Sequence, residues 1–110
     1  MWLRETMSLA AVLLLLAPAM SVCAAPAVHT VVIDGMRFIP ETLEVRRGDT
    51  VIWRNKDPFP HTATAIASGG GPASPNIAAG ESWKFKATKK GRHDYLCTLH
   101  RTMKGKLVVK

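Results

Sequence analysis

The stretch ESWKFKAT, residues 81–88, alternates apolar and charged side chains with a period of two. Trp83 and Phe85 share one side of this pattern, and Lys84 and Lys86 share the other. Successive side chains of a strand point to opposite faces, so the alternation predicts a β-strand with one buried face and one solvated face. The stretch therefore favours a fold in which sheets pack an apolar face against a core.

Six further segments are short and rich in β-branched or aromatic residues, and Gly, Pro, Asp and Asn turn signals separate them. They are HTVVI, TLEVRRG, DTVIWRN, HTATAIA, HDYLCT and GKLVV. No segment of this part of the chain has a long apolar period of 3.6 residues, so we expect little helix. Seven short strands within residues 28–110 predict one all-β domain, a Greek-key β-sandwich.

Residues 1–25 have the pattern of a secretory signal peptide. Arg4 precedes the apolar run LAAVLLLLAPAM, residues 9–20, whose 12 residues are too few to span a bilayer. Cleavage is compatible with three positions, after Ala24, Ala25 or Ala27. A lipoprotein anchor at Cys23 is the alternative, although Val22 is bulky where such sites carry a small residue. We expect export to the periplasm and no stable insertion in the membrane.

The charge and the cysteine count suggest what the exported domain contains. The chain has 15 Lys and Arg against 8 Asp and Glu, a formal charge of +7, and removing residues 1–25 takes away one charge of each sign. Cys97 is then the only cysteine, so the domain forms no internal disulfide. A single thiol in an oxidising compartment is open to oxidation unless something such as a metal ion occupies it.

Cys97, His100 and Met103 follow one another at three-residue intervals in DYLCTLHRTMKGKLVV, residues 94–109. Taken alone, this pattern is equally compatible with a buried cysteine, a solvated histidine and a methionine that fills a gap in the core. Cys97 ends a predicted strand, however, and a tight turn after it would bring the three side chains to one side. A fourth ligand could come from His61, which lies in DPFPHTAT between a proline-rich turn and a strand.

One thiolate, two imidazoles and one weak thioether are the donor set of a blue-copper electron-transfer centre. Thiolate and thioether favour Cu(I), whereas imidazole binds both oxidation states, so a site of fixed intermediate geometry accepts an electron with little rearrangement. Zinc is the alternative metal, but structural zinc sites rarely use methionine and usually contain more than one cysteine. The sequence therefore predicts one copper ion bound by His61, Cys97, His100 and Met103.

Nearly the whole domain, from Val31 to Lys110, resembles a cupredoxin, and its metal loop is similar to that of the amicyanins. The similarity lies in FIPETLEVRRGDTVIWRNKD, PHT and GRHDYLCTLHRTMKGKLVV. The resemblance implies that the copper ligands of the family correspond to His61, Cys97, His100 and Met103. Plastocyanin-like and pseudoazurin-like proteins have a longer gap between the second His and the Met, so C-x-x-H-x-x-M indicates the amicyanin type.

The chain departs from the family pattern next to two of these ligands. Thr62 follows the upstream His where Asn is common, and it could hydrogen-bond toward Thr98 with a shorter reach. Leu99, Arg101 and Thr102 stand where the family loop carries prolines and a phenylalanine. Fewer prolines predict a loop that is less preorganised.

Two other histidines lie outside the predicted ligand set. His93 takes a position, two residues before Tyr95, that is commonly aromatic and faces inward. We expect a partnered core histidine there, with a second metal ligand as the alternative. His29 lies near the start of the domain, and we expect it to be solvated.

A type 1 copper protein transfers electrons through the exposed edge of its loop histidine, which the resemblance identifies as His100. Phe59, Pro60 and Leu99 would form an apolar centre of the docking face around it. A positive rim would come from Arg54, Lys56, Arg101 and Lys104. Such a rim suits an acidic redox protein as partner, although these charges could equally serve only to keep the surface soluble.

The function implied is that of a small periplasmic carrier of single electrons, monomeric and acting between redox partner proteins. An enzyme is not expected, because no general base, nucleophile or open coordination position is evident. Nucleic acid is not expected as a partner, because the exported chain has no aromatic and basic binding surface. The alternative function is a periplasmic copper chaperone or scavenger.

Overall fold

The computed structural model describes residues 10–18 and 25–110 of the chain. Cys23 and Ala24, the candidate lipidation site and one candidate cleavage site, lie outside the described residues. Residues 10–18 are exposed and form neither helix nor strand. Within the two described ranges, no helix combines the length and the apolar character needed to cross a bilayer.

Eight strands form the domain, and residues 25–110 contain no α-helix. They are β1 (Val28–Ile33), β2 (Phe38–Ile39), β3 (Thr42–Val45), β4 (Thr50–Asn55), β5 (Thr64–Ala65), β6 (Ser82–Lys86), β7 (Gly91–Cys97) and β8 (His100–Val109). Each of the seven predicted segments overlaps a strand, whereas the two-residue β2 was not predicted. β8 begins five residues before Gly105, so it includes both His100 and Met103.

The strands form two sheets of four, in the orders β2-β1-β4-β6 and β3-β8-β7-β5. β1 pairs in parallel with β4, and β3 pairs in parallel with β8, whereas all other neighbours are antiparallel. The chain passes from one sheet to the other after β2, β3, β4, β5 and β6. This arrangement confirms the predicted all-β sandwich.

Aromatic side chains pack with aliphatic ones in the core between the sheets. Trp83 and Phe85 of β6 are half-buried and the lysines beside them are exposed, as the alternation predicts. Trp53 of β4 is fully buried, and its indole Nε1 donates a hydrogen bond to the Tyr95 hydroxyl at 3.3 Å. Burial raises the pKa of Tyr95 to about 12. This packing supports β7, the strand that ends at Cys97.

A glycine allows β8 to lie close against β7. Gly105 is opposite Tyr95 in the antiparallel pair, and a Cβ at this position would overlap the phenol ring. The absence of a side chain therefore lets the two strands pair beside a large buried ring. This pairing holds both ends of the turn between Cys97 and His100.

His29 and His93, which lie outside the predicted ligand set, match their predictions only in part. His29 is not simply solvated, because its Nε2 lies 2.9 Å from Oδ2 of Asp49 and its side chain is 27% exposed. The parallel pairing of β1 with β4 brings these residues together. His93 is partnered as expected, with Nε2 at 2.9 Å from the carbonyl oxygen of Lys89, but it is half-buried at the surface and not in the core.

Candidate metal centre

Three potential metal ligands converge in the domain. The ligand atoms of His61, Cys97 and His100 all lie within 4.8 Å of one another. Sγ of Cys97 is 3.6 Å from Nδ1 of His61 and 3.9 Å from Nδ1 of His100. Bonds of about 2.3 Å to sulfur and about 2.0 Å to nitrogen would place two such atoms on a common ion about 3.5–3.8 Å apart. The three donor atoms therefore have the spacing of ligands around one metal ion.

The turn between the ligands of β7 and β8 is tight, as the sequence predicts. Only Thr98 and Leu99 connect the strands, and Cys97 pairs with His100 across the turn. A register shift immediately before Cys97 interrupts the ladder there. Backbone pairing thus supports this turn, although the prolines of the family loop are absent.

Met103 reaches the interior because β8 carries extra residues. Leu96 pairs with Lys104 and Cys97 pairs with His100, so residues 101–103 have no opposing residue on β7. Strand residues three positions apart normally face opposite sides of a sheet, and such a bulge re-aims side chains. The Met103 side chain is buried, with 4% of its surface exposed.

The segment that carries His61 is fixed by buried polar contacts. His61 is fully buried and exchanges backbone hydrogen bonds with Ile77, at 3.1 and 2.7 Å. The side-chain amide of Asn55, also fully buried, donates to the carbonyl oxygens of Phe59 and Ile77 at 2.8 and 3.0 Å. These bonds hold the proline-rich turn and the His61 backbone in one arrangement.

A carboxylate sets the tautomer of His61. Nε2 of His61 lies 2.8 Å from Oδ2 of Asp57. Burial opposes ionisation of Asp57, but backbone N–H donors from Met36 and Gly35 and the contact with His61 outweigh it and hold the pKa of this carboxyl below its usual value. An ionised carboxylate only accepts, so Nε2 carries the proton and donates it. In the neutral ring the lone pair is then on Nδ1, the nitrogen that faces Cys97.

Thr62 connects the two segments that carry the candidate ligands. Its backbone N–H donates to Sγ of Cys97 at 3.3 Å. Its hydroxyl oxygen accepts from the Thr98 backbone N–H at 2.9 Å, and the two hydroxyls are 3.0 Å apart. Thr64 donates a further hydrogen bond to the Thr62 hydroxyl at 3.0 Å. The contact expected between Thr62 and Thr98 is confirmed, and an N–H donor at Sγ stabilises a thiolate.

One edge of the site lies near the surface. His100 is half-buried, whereas His61 and Cys97 are fully buried. Phe59 is 40% exposed, with its ring centroid 5.8 Å from that of His100, and Leu99 is 47% exposed. Apolar side chains therefore border the most accessible candidate ligand, and their role in docking stays a prediction. The four residues of the expected positive rim are all exposed, and their grouping around His100 stays a prediction.

A model of the cupredoxin-like domain matches residues 6–109. The chain belongs to the cupredoxin-like family.

The cupredoxin has relatives among characterised proteins. It is 35% identical over 77 residues to amicyanin of Paracoccus denitrificans, a match that covers 67% of this chain and 59% of that protein. It is 34% identical over 90 residues to amicyanin-alpha of Methylorubrum extorquens, covering 77% of this chain and 75% of the relative. It is 31% identical over 77 residues to plastocyanin of Vicia faba, a match that covers 60% of this chain and 78% of that protein. The match thus spans less than two thirds of the first relative.

Solved structures of amicyanin have the same fold as this cupredoxin. The reduced state of an amicyanin mutant superposes with a TM-score of 0.70 at 34% identity, covering 76% of this chain and 82% of that one. The Cu(I) form of another amicyanin mutant superposes with a TM-score of 0.71 at 33% identity, covering 79% of this chain and 86% of that one. The predicted resemblance to the amicyanins is confirmed.

Sequence reasoning missed two residues that support the cupredoxin site. Asp57 lies four positions before His61, and a metal-ligating histidine commonly donates its other ring N–H to a carboxylate. This rule could have identified Asp57 from the sequence. Asn55 ends a strand and resembles an ordinary turn residue in the sequence, because its three hydrogen bonds depend on a chain path visible only in the structure.

Proposed function

We propose that this cupredoxin is a one-electron carrier that binds one copper ion through His61, Cys97, His100 and Met103. The observation that carries the proposal is the convergence of one buried thiol and two imidazole nitrogens at the spacing of metal ligands. The names of the relatives, amicyanin and plastocyanin, support a carrier and not an enzyme. Structural neighbours described as Cu(I) forms of amicyanin support copper as the metal.

The surroundings of the ligands suit electron transfer. When bound, copper supplies one-electron chemistry by alternating between Cu(I) and Cu(II). Asp57 keeps Nδ1 of His61 available, and the Thr62 backbone N–H holds Sγ of Cys97 in place. These hydrogen bonds join protein groups and do not depend on the metal. The ligands therefore keep their positions when the oxidation state of the metal changes. Small rearrangement favours fast electron transfer.

The same contacts favour a carrier over the copper chaperone considered as the alternative. A chaperone must release its metal, so its ligands need to be open to exchange with a partner. His61 and Cys97 are fully buried here, and each has a hydrogen-bond partner in addition to the other ligand atom. A site of this kind retains its metal.

Electrons leave the site through the half-buried His100, whose ring centroid lies 5.8 Å from that of the exposed Phe59. Pro60 and Leu99, the neighbours of Phe59 and His100 in the chain, are exposed as well. We expect a redox partner to dock on this apolar centre, with the protein acting as a monomer. If the basic rim steers an acidic partner, the rate of electron transfer falls as salt rises, because the Debye length shrinks from about 30 Å at 0.01 M to about 10 Å at 0.1 M. Charge reversal at Lys104 should flatten that dependence, and a rate indifferent to salt would contradict steering.

We also propose that residues 1–25 direct export to the periplasm and are then removed. The exported protein then consists of the cupredoxin domain, residues 28–110, preceded by Pro26 and Ala27. The apolar run and the small residues after it support this proposal. The intact mass of the protein recovered from a periplasmic extract gives the cleavage position. Recovery of an uncleaved chain in the cytoplasm would contradict export.

The optical and spin-resonance spectra of the copper-loaded, signal-cleaved protein test the copper assignment. An intense thiolate-to-copper absorption band is expected, and Cys97→Ala should remove both the band and most of the affinity for copper. Thr98→Ala, next in the chain, should keep the band. A coloured Cys97→Ala protein would show that the ligand assignment is wrong. A protein that held copper in only one oxidation state would favour the chaperone.

A further inference from the structure

Residues 25–110 contain two methionines, Met36 and Met103, and the fold brings both to one surface cavity. The cavity has a volume of about 440 Å³ and lies between the start of β2 and the bulge of β8. Met36 is half-buried, whereas Met103 is 4% exposed. Both methionines therefore line one cavity that opens to the surface, and one of them belongs to the proposed copper site.

The turn that carries Met36 is fixed relative to this site. Oδ2 of Asp57 lies 3.0 Å from the backbone nitrogen of Met36 and 2.8 Å from Nε2 of His61. The Gly35 N–H donates to the other carboxylate oxygen at 2.8 Å. Met36 has a φ of 61°, a backbone conformation that residues other than glycine rarely adopt. Because Asp57 holds this conformation, Met36 has a defined place beside the metal centre.

The charges of the cavity do not favour a simple cation. Arg37 and Lys104 line it together with a single acid, Glu41. A hard divalent ion would gain little from this lining, because it prefers several carboxylate and carbonyl oxygens and Glu41 is the single carboxylate among the lining side chains. Thioethers are neutral, soft donors that select Cu(I). The two methionines are therefore the groups through which this cavity would attract a metal.

We propose that Met36 and Met103 form an entry site at which Cu(I) binds before it reaches the copper centre. This inference rests on the proposed function, since Met103 is assigned to both sites. Met36 forms a bond to Cu(I) as the ligand that delivered the ion dissociates, and Met103 then bonds to the same ion. Exchange of Met36 for Cys97 and the imidazoles completes the transfer, and the Cys97 thiol releases its proton to solvent. The oxidation state does not change.

Uptake of Cu(I) by the metal-free, signal-cleaved protein provides the kinetic test. Transfer from a coloured Cu(I)–chelator complex should be slower by roughly tenfold in Met36→Leu, the lower limit expected when a contact that supports a metal site is lost. The final occupancy and the optical spectrum after oxidation should equal those of the wild type. Ile39→Leu changes a side chain of the same cavity without removing a thioether, and its uptake should be unchanged.

A titration that keeps Met36 in place tests the site itself. In a Cys97→Ala protein with ¹³C-labelled methionine methyl groups, Ag(I) serves as a diamagnetic probe with the soft-ligand preference of Cu(I). Both the Met36 and the Met103 methyl resonances should shift. An unmoved Met36 resonance would overturn the entry site, and equal uptake rates in wild type and Met36→Leu would overturn its role. A wild-type protein that takes up no copper would instead contradict the proposed function.

Discussion

Two histidine–aspartate pairs of similar construction lie in this cupredoxin, and only one belongs to the candidate metal centre. Nε2 of His61 is 2.8 Å from Oδ2 of Asp57, and Nε2 of His29 is 2.9 Å from Oδ2 of Asp49. Each carboxylate also accepts two backbone N–H groups, from Gly35 and Met36 in the first pair and from Ala27 and Arg46 in the second. In both pairs these bonds contribute to a lowered carboxyl pKa.

The pairs differ in what faces the other ring nitrogen. Nδ1 of His61 lies 3.6 Å from Sγ of Cys97, with the His100 ring centroid 5.0 Å from its own. His29 joins no group of three potential ligands within residues 10–18 and 25–110. Asp49 instead fastens the beginning of the domain through the Ala27 backbone. A carboxylate can set a tautomer anywhere in a protein, but a metal site needs further donors on the opposite side of the ring.

The largest effect should come from replacing each histidine of the two pairs in turn. His61→Gln should abolish the thiolate-to-copper band and most copper affinity, because it removes one of two imidazoles from the proposed ligand set. His29→Gln should leave both unchanged, since its ring faces no other donor. Optical titration of the metal-free proteins with copper measures both quantities. Loss of copper binding in His29→Gln would show that the two pairs are not functionally distinct.

A smaller effect on the same site should follow from changing the carboxylates. Asp57→Asn removes the charge that keeps the proton on Nε2 of His61, so we expect copper affinity to fall by about 10–100-fold. Asp49→Asn is the matched control, and its affinity should equal that of the wild type. Competition with a Cu(I) chelator gives the dissociation constants. Equal affinity in Asp57→Asn would mean that the backbone alone orients the imidazole.

The carboxylate far from the ligands should matter for acid stability instead. A backbone hydrogen bond from Ala27, then the bonds from His29 and Arg46, lower the pKa of Asp49 from 3.8 to about 2. A depressed carboxyl pKa stabilises the folded state fully above the unfolded value, and this contribution is lost as pH falls from about 4 toward 2. The wild type should therefore lose stability more steeply than Asp49→Asn in this window. Parallel denaturation curves across it would contradict the assignment.

The smallest effect concerns His29 as a partner of Asp49. Because the backbone bond from Ala27 is the largest cause of the lowered pKa, His29→Gln should leave this carboxyl titrating below its ordinary value. NMR titration of the Asp49 carboxyl carbon measures it directly. If the carboxyl of the variant titrated at the ordinary value, the histidine and not the backbone would control the pair.

Much of this protein was predictable from local sequence patterns. The alternation around Trp83 and Phe85 predicts a strand, because side-chain direction in a strand depends only on position along the chain. Strand positions and the all-β sandwich followed from patterns of this kind. The residue types at Cys97, His100 and Met103 limit the metal by the softness of their donor atoms, which is also a local property. The position of His61 between a proline-rich turn and a strand offered a fourth ligand, and the resemblance to cupredoxins implied the same set.

Only the tertiary structure decided how these residues act. In the sequence His29 and His61 are both single histidines near a carboxylate-bearing segment, and His29 was expected to be solvated. Their different surroundings arise from pairing between distant segments, because Cys97 lies 36 positions beyond His61 and Asp49 lies 20 beyond His29. Such contacts form when sheets assemble, so neither the approach of Cys97 to His61 nor the two-methionine cavity has a local signature. Chemical character is encoded residue by residue, whereas convergence on one point is a property of the whole fold.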